Sequence, residues 1–162
     1  MKNTSRVIGN FKGQDIIEYS IENDNGLKVS ILNLNGIWNH FSLNGENVLE
    51  EVNLASVPDD RKQINDVIVS PDSLEMITDE FDIKYQLLEN NTLVFSSKGT
   101  DMMIGFKKAS SIDSNSINTV IRFDALKLRI TSEKASVNII SANPLIVETK
   151  AGVPFEVRYR LS

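Results

Sequence analysis

The sequence predicts an all-β fold, an antiparallel β-sandwich of about a dozen strands with minimal helix. Apolar and polar residues alternate with a period of two in short runs, a pattern typical of half-buried strands. The clearest runs are 27–32, 81–87, 126–131 and 153–162. Residues that form turns separate these runs. Strands with one polar and one apolar face require a second sheet to cover the apolar side, which favours a sandwich.

The turns fit the same architecture. Asn44-Gly45 suits a tight hairpin, because both residues tolerate a positive φ, and Asn90-Asn91 separates two further strand-like runs. Only residues 47–54 show helical spacing, and that segment predicts one or two helical turns. Alternation also assigns one set of side chains to the interior. The residues predicted to face inward are Val29, Ile31, Phe81, Ile83, Tyr85, Leu128, Ile130, Phe155 and Val157.

Length and composition indicate a single domain over residues 1–162. With 41% apolar and 24% charged residues, the chain resembles an ordinary globular protein. It contains no cysteine, which excludes disulfides, thiolate metal sites and a cysteine nucleophile. No signal peptide and no apolar stretch of about 20 residues is visible, so we expect a cytoplasmic protein without a membrane partner.

The net charge of −5 is unevenly distributed. Residues 1–80 carry six basic and fourteen acidic side chains, a balance of −8, whereas residues 81–162 carry eleven and eight, a balance of +3. A negative total disfavours nucleic acid as a partner, since phosphate binding needs a concentrated basic surface. We interpret the basic residues of the second half as solvated strand faces. They include Lys107, Lys108, Arg122, Lys127 and Arg129.

Three stretches carry a family resemblance: 16–43, 70–101 and 126–162. The first contains a tyrosine strand that turns at Asn25-Gly26 and is followed by Asn35-Gly36-Ile37, and the third contains Ser141-Ala142-Asn143. In order and at both termini they resemble the galactose mutarotase (aldose 1-epimerase) superfamily, of which the chain looks like a shortened member. The resemblance implies a fold of the galactose mutarotase-like type with a sugar site on one concave face.

The residues that the resemblance would make catalytic are missing. Mutarotation opens a hemiacetal, which requires a base for the anomeric hydroxyl and an acid for the ring oxygen. The family uses a His within Asn-His-x-Tyr-Phe and a Glu near its C-terminus. The first position falls near Phe106-Lys107-Lys108, which contains no His, and Pro144-Leu145 runs directly into the final strands where the Glu is expected. Both members of the acid–base pair are therefore absent by position.

A few residues remain as candidates for a site. His40, the one histidine, and Trp38 are expected on the same side of one strand, where an aromatic ring beside an imidazole suits a sugar. Asn143 is a third candidate for ligand binding, and Glu148 is the carboxylate nearest the missing Glu. His40 and Glu148 are thus the catalytic candidates, although a packing or surface role for His40 and a solvated strand position for Glu148 remain open. A lone histidine predicts no metal site, and no cofactor is expected.

The leading hypothesis is a catalytically degenerate aldose 1-epimerase-like protein that binds a carbohydrate or a sugar-derived ligand. The first alternative is a minimal aldose 1-epimerase, a sugar anomer isomerase, whose acid and base occupy new positions. The second is a non-catalytic interaction or assembly domain, because loss of loops exposes sheet surface that a partner covers. A homodimer is left open. Besides Trp38, the aromatic residues considered for a sugar groove are Tyr19, Tyr85 and Tyr159.

Overall fold

A computed structural model describes residues 1–115, 118–132, 136–150 and 155–162. Apart from two 3₁₀ turns at Leu54–Ser56 and Asp59–Arg61, the regular structure of these residues consists of β-strands, which confirms the all-β prediction. The strands are β1 (Lys2–Phe11), β2 (Gln14–Glu22), β3 (Leu27–Leu32), β4 (Trp38–Leu43), β5 (Glu46–Asn47), β6 (Ile68–Ser70), β7 (Ser73–Ile77), β8 (Asp82–Leu88), β9 (Thr92–Lys98), β10 (Met102–Phe106), β11 (Ser111–Ser114), β12 (Asn118–Arg122), β13 (Lys127–Thr131), β14 (Ser136–Ala142), β15 (Leu145–Lys150) and β16 (Phe155–Leu161).

One layer of the sandwich combines two antiparallel sheets, β1-β2-β3-β4-β5 and β10-β15-β14. The segment that follows β5 joins them. The Val48 amide donates to the Phe41 carbonyl of β4 at 2.9 Å, and the Val48 carbonyl accepts from the Lys107 amide at 2.9 Å. The Glu50 amide donates to the Gly105 carbonyl of β10 at 2.8 Å. We call this combined layer the first layer.

The second layer is one antiparallel sheet in the order β11-β12-β13-β16-β9-β8-β7-β6. The closing strand β16 lies inside it, paired with β13 on one side and with β9 on the other. Because β9 and β13 lie far apart in sequence and β16 pairs with both, the sheet depends on contacts between distant parts of the chain. The inner faces of the two layers enclose the main hydrophobic core.

Strand alternation places the predicted residues on the inner faces. Seven of the nine are buried: Val29, Ile31, Ile83, Tyr85, Leu128, Ile130 and Val157. Phe81 is partly buried and packs against the same core. The side chain of Phe155 lies outside the described part of the structure. The register assigned from the sequence is therefore confirmed for the described side chains.

An aromatic cluster connects the two layers at the centre of the sandwich. Trp38 of the first layer contacts Tyr85 and Tyr159 of the second, with ring centroids 5.6 and 5.0 Å apart. Phe41 lies 5.2 Å from Trp38 within the first layer, and Phe95 lies 4.8 Å from Tyr85 within the second. Tilted and edge-on ring pairs at these separations add to the stabilisation from burial.

The prediction of helical turns within 47–54 is wrong. The segment begins with the end of β5 and continues as extended chain between β4 and β10, and its 3₁₀ turn starts only at Leu54. Val48 and Leu49 are buried in the core, which a short helix on the surface would not achieve. Hydrogen bonds to two flanking strands outweigh the weak preference for one or two helical turns. The structure also has sixteen strands in its described residues rather than about a dozen, several of them only two to four residues long.

Candidate functional site

A cavity of about 470 Å³ opens where the two sheets of the first layer separate. One wall consists of residues 35–38, which lead into β4, and the opposite wall of residues 100–105, which lead into and form most of β10. Residues 49–52 close one end. The floor is the inner face of the second layer, with Phe81, Ile83, Tyr85 and Phe95. We call this cavity the notch.

The first wall is held by the loop that carries the 3₁₀ turns. The side-chain amide of Asn35 donates to the Arg61 carbonyl at 3.0 Å, and its oxygen accepts from the Gln63 amide at 2.7 Å. Gly36 adopts a φ of 63°, and a Cβ there would lie 2.5 Å from the Cδ1 of Ile83. Glycine thus satisfies both the left-handed backbone and the close approach of wall to floor.

The floor of the notch is aromatic. Tyr85, which is 2% exposed, lies on the floor with Phe81 and Phe95, and Trp38, which is 8% exposed, adds a fourth ring from the first wall. No residue in the described ranges forms a hydrogen bond with the Tyr85 hydroxyl. Burial, together with the neighbouring Tyr159 phenol, raises the pKa of Tyr85 well above its ordinary value, so the hydroxyl stays protonated. It is a neutral donor and acceptor at the bottom of a largely apolar cavity.

The rim of the notch is acidic. Its lining includes three carboxylates, Glu50, Glu51 and Asp101, together with Thr100, and it includes no lysine, arginine or histidine. Among the residues that the structure describes, Glu50 and Glu51 form neither an ion pair nor a side-chain hydrogen bond. Carboxylates that lack an internal partner can accept hydrogen bonds from a bound molecule.

Trp38 and His40 lie on opposite faces of β4, so the prediction that they share a side is wrong. A β-bulge interrupts the pairing with β3: Ile31 pairs with Trp38 and Ser30 with His40, which leaves Asn39 as an extra residue. Because an extra residue reverses the alternation, Trp38 faces the core while His40 faces outward. The Trp38 indole N–H donates to the His40 carbonyl at 3.1 Å, a hydrogen bond that connects the residues on either side of Asn39.

On its outward side, β4 contributes to a polar cluster around Glu18. The Glu18 carboxylate accepts from Arg6 Nε at 2.9 Å, from Ser30 Oγ at 3.1 Å and from the side-chain amide of Asn39. The Glu18 side chain is only 6% exposed. Burial raises the pKa of Glu18, but the hydrogen bonds from Asn39, Arg6 and Ser30 and the charge of Arg6 outweigh it and hold the pKa below its ordinary value. We call this group the outer cluster.

His40 lies beside the outer cluster. Its Nε2 is 2.8 Å from the hydroxyl of Ser42. Burial and then the charge of Lys28 lower the pKa of His40, and the attraction of Glu18 is not enough to reverse this. The ring is therefore neutral at pH 7. His40 does not line the notch.

The other two candidates also lie outside the notch. Glu148 is on the outer face of β15, opposite Met103 of β10 and one strand away from the notch wall, and its Oε1 is 3.7 Å from the Lys150 ammonium. Asn143 is exposed in the turn between β14 and β15. Among the described residues, no hydrogen bond or ion pair joins His40 to Glu148. Of the proposed residues, the structure brings only Trp38 and Tyr85 to the notch.

Glu50, Glu51 and Asp101 were missed by sequence reasoning. Two adjacent carboxylates after the apolar pair Val48-Leu49 matched the outer face of a short helix. The strong strand pattern on both sides of the segment was the feature of the sequence that argued against a helix there. Asp101 lies about fifty residues further on, and the bridge between Leu49 and Phe106, with the backbone hydrogen bonds beside it, brings the two segments together.

Other polar groups do not form a comparable site. Lys107 and Lys108, which stand near the position of the family's histidine, line a separate cavity of about 480 Å³ with Asp124. Both lysines are exposed. The described residues include no cluster of three or more histidine, aspartate or glutamate side chains that could hold a metal ion. In the same residues, no helix is long and apolar enough to span a membrane.

Comparison with known proteins identifies the fold. The sequence matches no protein-family model and no curated protein. The structure is similar to that of galactose 1-epimerase from Lactobacillus acidophilus NCFM, with a TM-score of 0.58 at 10% identity over 99% of this chain and 98% of that one. It is also similar to that of the protein HI1317, with a TM-score of 0.52 at 7% identity over the full length of both chains. The chain has a galactose mutarotase-like β-sandwich fold; that it is a shortened version remains a prediction.

Proposed function

We propose that this protein is a shortened, catalytically degenerate aldose 1-epimerase-like protein of the cytoplasm that binds a carbohydrate or a sugar-derived ligand in the notch. The observation that carries the proposal is the combination of an aromatic floor with polar groups that lack internal partners. Tyr85 offers a buried hydroxyl, and Glu50 and Glu51 offer free carboxylates above it. Sugars present apolar C–H faces and a ring of hydroxyl donors, which match these two surfaces.

The dimensions fit a small ligand. Ligand pockets have volumes of about 300–1,000 Å³ and combine apolar lining with a few polar groups that fix orientation. A cavity of about 470 Å³ falls within that range and accommodates one or two sugar rings. Packing of a ring against Trp38 and Phe81 supplies area, whereas hydrogen bonds to the carboxylates and to Tyr85 supply orientation.

The proposal that the protein is catalytically degenerate rests on a different observation, the positions of the candidate proton-transfer groups. Mutarotation requires two proton-transfer groups at one ligand. The notch has several carboxylates but no histidine, and the two catalytic candidates His40 and Glu148 both lie outside it. Lys107, near the position of the expected histidine, is exposed and does not line the notch. Binding without efficient catalysis is the function that these placements support.

An assembly role is a second candidate, favoured by one edge of the sandwich. Exposed apolar side chains occur on the edge strand of each layer there, with Val7 on β1 and Ile68 and Val69 on β6. The side-chain amide of Asn3 donates to the Ser70 carbonyl at 2.9 Å, so the two edge strands meet at this point. A second copy that covered this edge would form a homodimer, which light scattering of the purified protein would detect.

The test of carbohydrate binding is a thermal-shift screen against monosaccharides, followed by titration calorimetry of any ligand found. A ligand at 100 times its Kd stabilises the folded protein by about 2.7 kcal/mol, a readily measured shift. Tyr85→Phe removes one hydroxyl from the notch and should weaken binding about five- to tenfold, the effect of one lost hydrogen bond. Tyr19→Phe is the matched control, because Tyr19 does not line the notch. Stabilisation by no sugar, or equal losses in both variants, would contradict the proposal.

A further inference from the structure

The charge of the notch goes beyond general sugar binding. Three of its eighteen lining residues are acidic, and none is lysine, arginine or histidine. The floor strands β8 and β9 contain two basic residues, Lys84 and Lys98. Ile83, Tyr85 and Phe95 are on the inner faces of these strands, so alternation places both lysines on the outer faces, away from the notch. A ligand in the notch therefore encounters the negative charge of Glu50 and Glu51, which form no ion pair among the described residues.

The aromatic floor reinforces this preference. Aromatic faces carry negative electrostatic potential, and pockets that combine aromatic rings with carboxylates bind ammonium groups. Trp38, Phe81, Tyr85 and Phe95 all line the notch.

The Tyr85 hydroxyl supplies an independent indication that the notch is a ligand site. It belongs to a side chain that is 2% exposed, lines the cavity and has no hydrogen-bond partner among the described residues. A phenol in this position can donate to and accept from a molecule in the cavity. A polar ligand group at the floor would satisfy this hydroxyl while the rest of the ligand extends to the acidic rim.

We infer that the notch selects a positively charged carbohydrate, an amino sugar in its ammonium form. This inference rests on the proposed function and specifies the class of ligand. The sugar ring lies on the aromatic floor with one hydroxyl at Tyr85, and the ammonium group lies near the carboxylates of Glu50 and Glu51. Sugars with a phosphate or carboxylate group are excluded, because no basic residue lines the notch to pair with them.

The test measures the Kd of the intact protein by titration calorimetry for four ligands of matched shape: glucosamine, glucose, N-acetylglucosamine and glucose 6-phosphate. A parallel galactose series covers the other common stereochemistry. We expect the amino sugar to bind about tenfold more tightly than the neutral sugar, or about 1.4 kcal/mol. N-acetylation, which removes the charge, should abolish the advantage, and the phosphate ester should bind most weakly. High salt should shrink the difference, because it screens charge interactions at the rim.

Variants locate the effect. The double substitution Glu50→Gln and Glu51→Gln should reduce the preference for the amino sugar to about threefold or less while affinity for the neutral sugar changes little. Glu46→Gln, a nearby exposed position outside the notch, should leave the preference intact. If the double variant fails to fold, the charge of the ligand can be removed instead, by titrating the wild-type protein with the amino sugar at increasing pH. Raising the pH until the amine loses its proton should then remove the advantage over the neutral sugar.

The outcomes separate this inference from the proposed function. Neutral sugars that bind as tightly as amino sugars would overturn the charge selection and leave carbohydrate binding in place. So would binding of the phosphate ester at least as tight as that of glucose, or a preference that persists in the double variant. Failure of every sugar to bind, whatever its charge, would overturn both proposals.

Discussion

Polar groups on the two sides of β4 differ in whether other groups of the protein satisfy their hydrogen bonds. On the outer face, Glu18 is buried and accepts hydrogen bonds from Arg6, Ser30 and Asn39, so charge and hydrogen-bonding capacity are satisfied within the protein. In the notch on the other side, the hydroxyl of Tyr85 has no partner among the described residues. Both regions contain polar atoms at low exposure, and yet only one has capacity left for a ligand.

This difference shows how a structural polar cluster can be distinguished from a binding site. Shifted pKa values occur both in the notch, at Tyr85, and outside it, at Glu18 and His40. Internal causes explain the two outside the notch: hydrogen bonds from Asn39, Arg6 and Ser30 outweigh burial at Glu18, whereas burial and the charge of Lys28 lower the pKa of His40. A shifted pKa therefore does not by itself mark the cavity. Tyr85 differs in that it lines the cavity without a hydrogen-bond partner among the described residues.

The largest expected effect concerns Trp38, which belongs to the notch and to the core at once. Trp38→Ala removes ring contacts to both layers and should reduce the free energy of unfolding by about 3–5 kcal/mol. Urea denaturation followed by circular dichroism measures the loss. Trp38→Phe retains most of the packing and should lose clearly less. A loss below about 1 kcal/mol for the alanine variant would contradict the inward placement of this ring.

The next effect tests whether the outer cluster is structural. Glu18→Ala leaves the fully buried Ser30 hydroxyl and the Asn39 amide without their acceptor, and should reduce the free energy of unfolding by about 2–4 kcal/mol. It should not change any sugar affinity by more than about twofold. Glu46→Ala, at an exposed position, should stay within about 0.5 kcal/mol of the wild type. A large loss of sugar binding in Glu18→Ala with normal stability would show that the outer cluster is itself a ligand site.

A smaller effect is the pH dependence of stability, which the two shifted groups share. The folded pKa of His40 is lowered, so its contribution to stability is present above the unfolded value of 6.5 and is lost as the pH falls through the folded pKa. The folded pKa of Glu18 is lowered too, so its contribution is present above 4.5 and is lost at more acidic pH. Denaturation at a series of pH values should therefore show two successive losses of stability. Each has a slope of at most about 1.4 kcal/mol per pH unit.

Substitution separates the two steps. His40→Gln should remove the loss near neutral pH and leave the acidic one, because the glutamine does not titrate. The groups that act on His40 besides Glu18 are Lys28, Lys107 and Arg6. An unchanged profile in His40→Gln would mean that another group causes the step near neutral pH.

The smallest expected effect is on catalysis. Because the notch lacks a histidine and both catalytic candidates lie outside it, we expect no acceleration of glucose or galactose mutarotation above that of imidazole buffer at equal concentration. Polarimetry measures the rate, and His40→Ala and Glu148→Gln should leave it unchanged. Clear catalysis that is lost in either variant would favour the minimal aldose 1-epimerase instead.

Local sequence determined the strands and turns of this protein. Alternation at Asp82–Leu88 follows directly from the geometry of a strand between solvent and core, so it could be recognised without a structure. The turn at Asn44-Gly45 adopts positive φ values of 51° and 86°, as those residue types indicate. Each of these features depends on residues that are neighbours along the chain.

Only the tertiary structure decided the candidate site. The bulge at Asn39 separates Trp38 from His40, and a single extra residue in one strand is defined only by the register of its partner. The extended path after β5 depends on hydrogen bonds to β10, about fifty residues away. The notch combines residues 35–38, 49–52, 81–95 and 100–105, none of which lies close to all the others in sequence. A cavity exists where packed layers diverge, and this spacing is a property of the assembled sheets rather than of any segment within them.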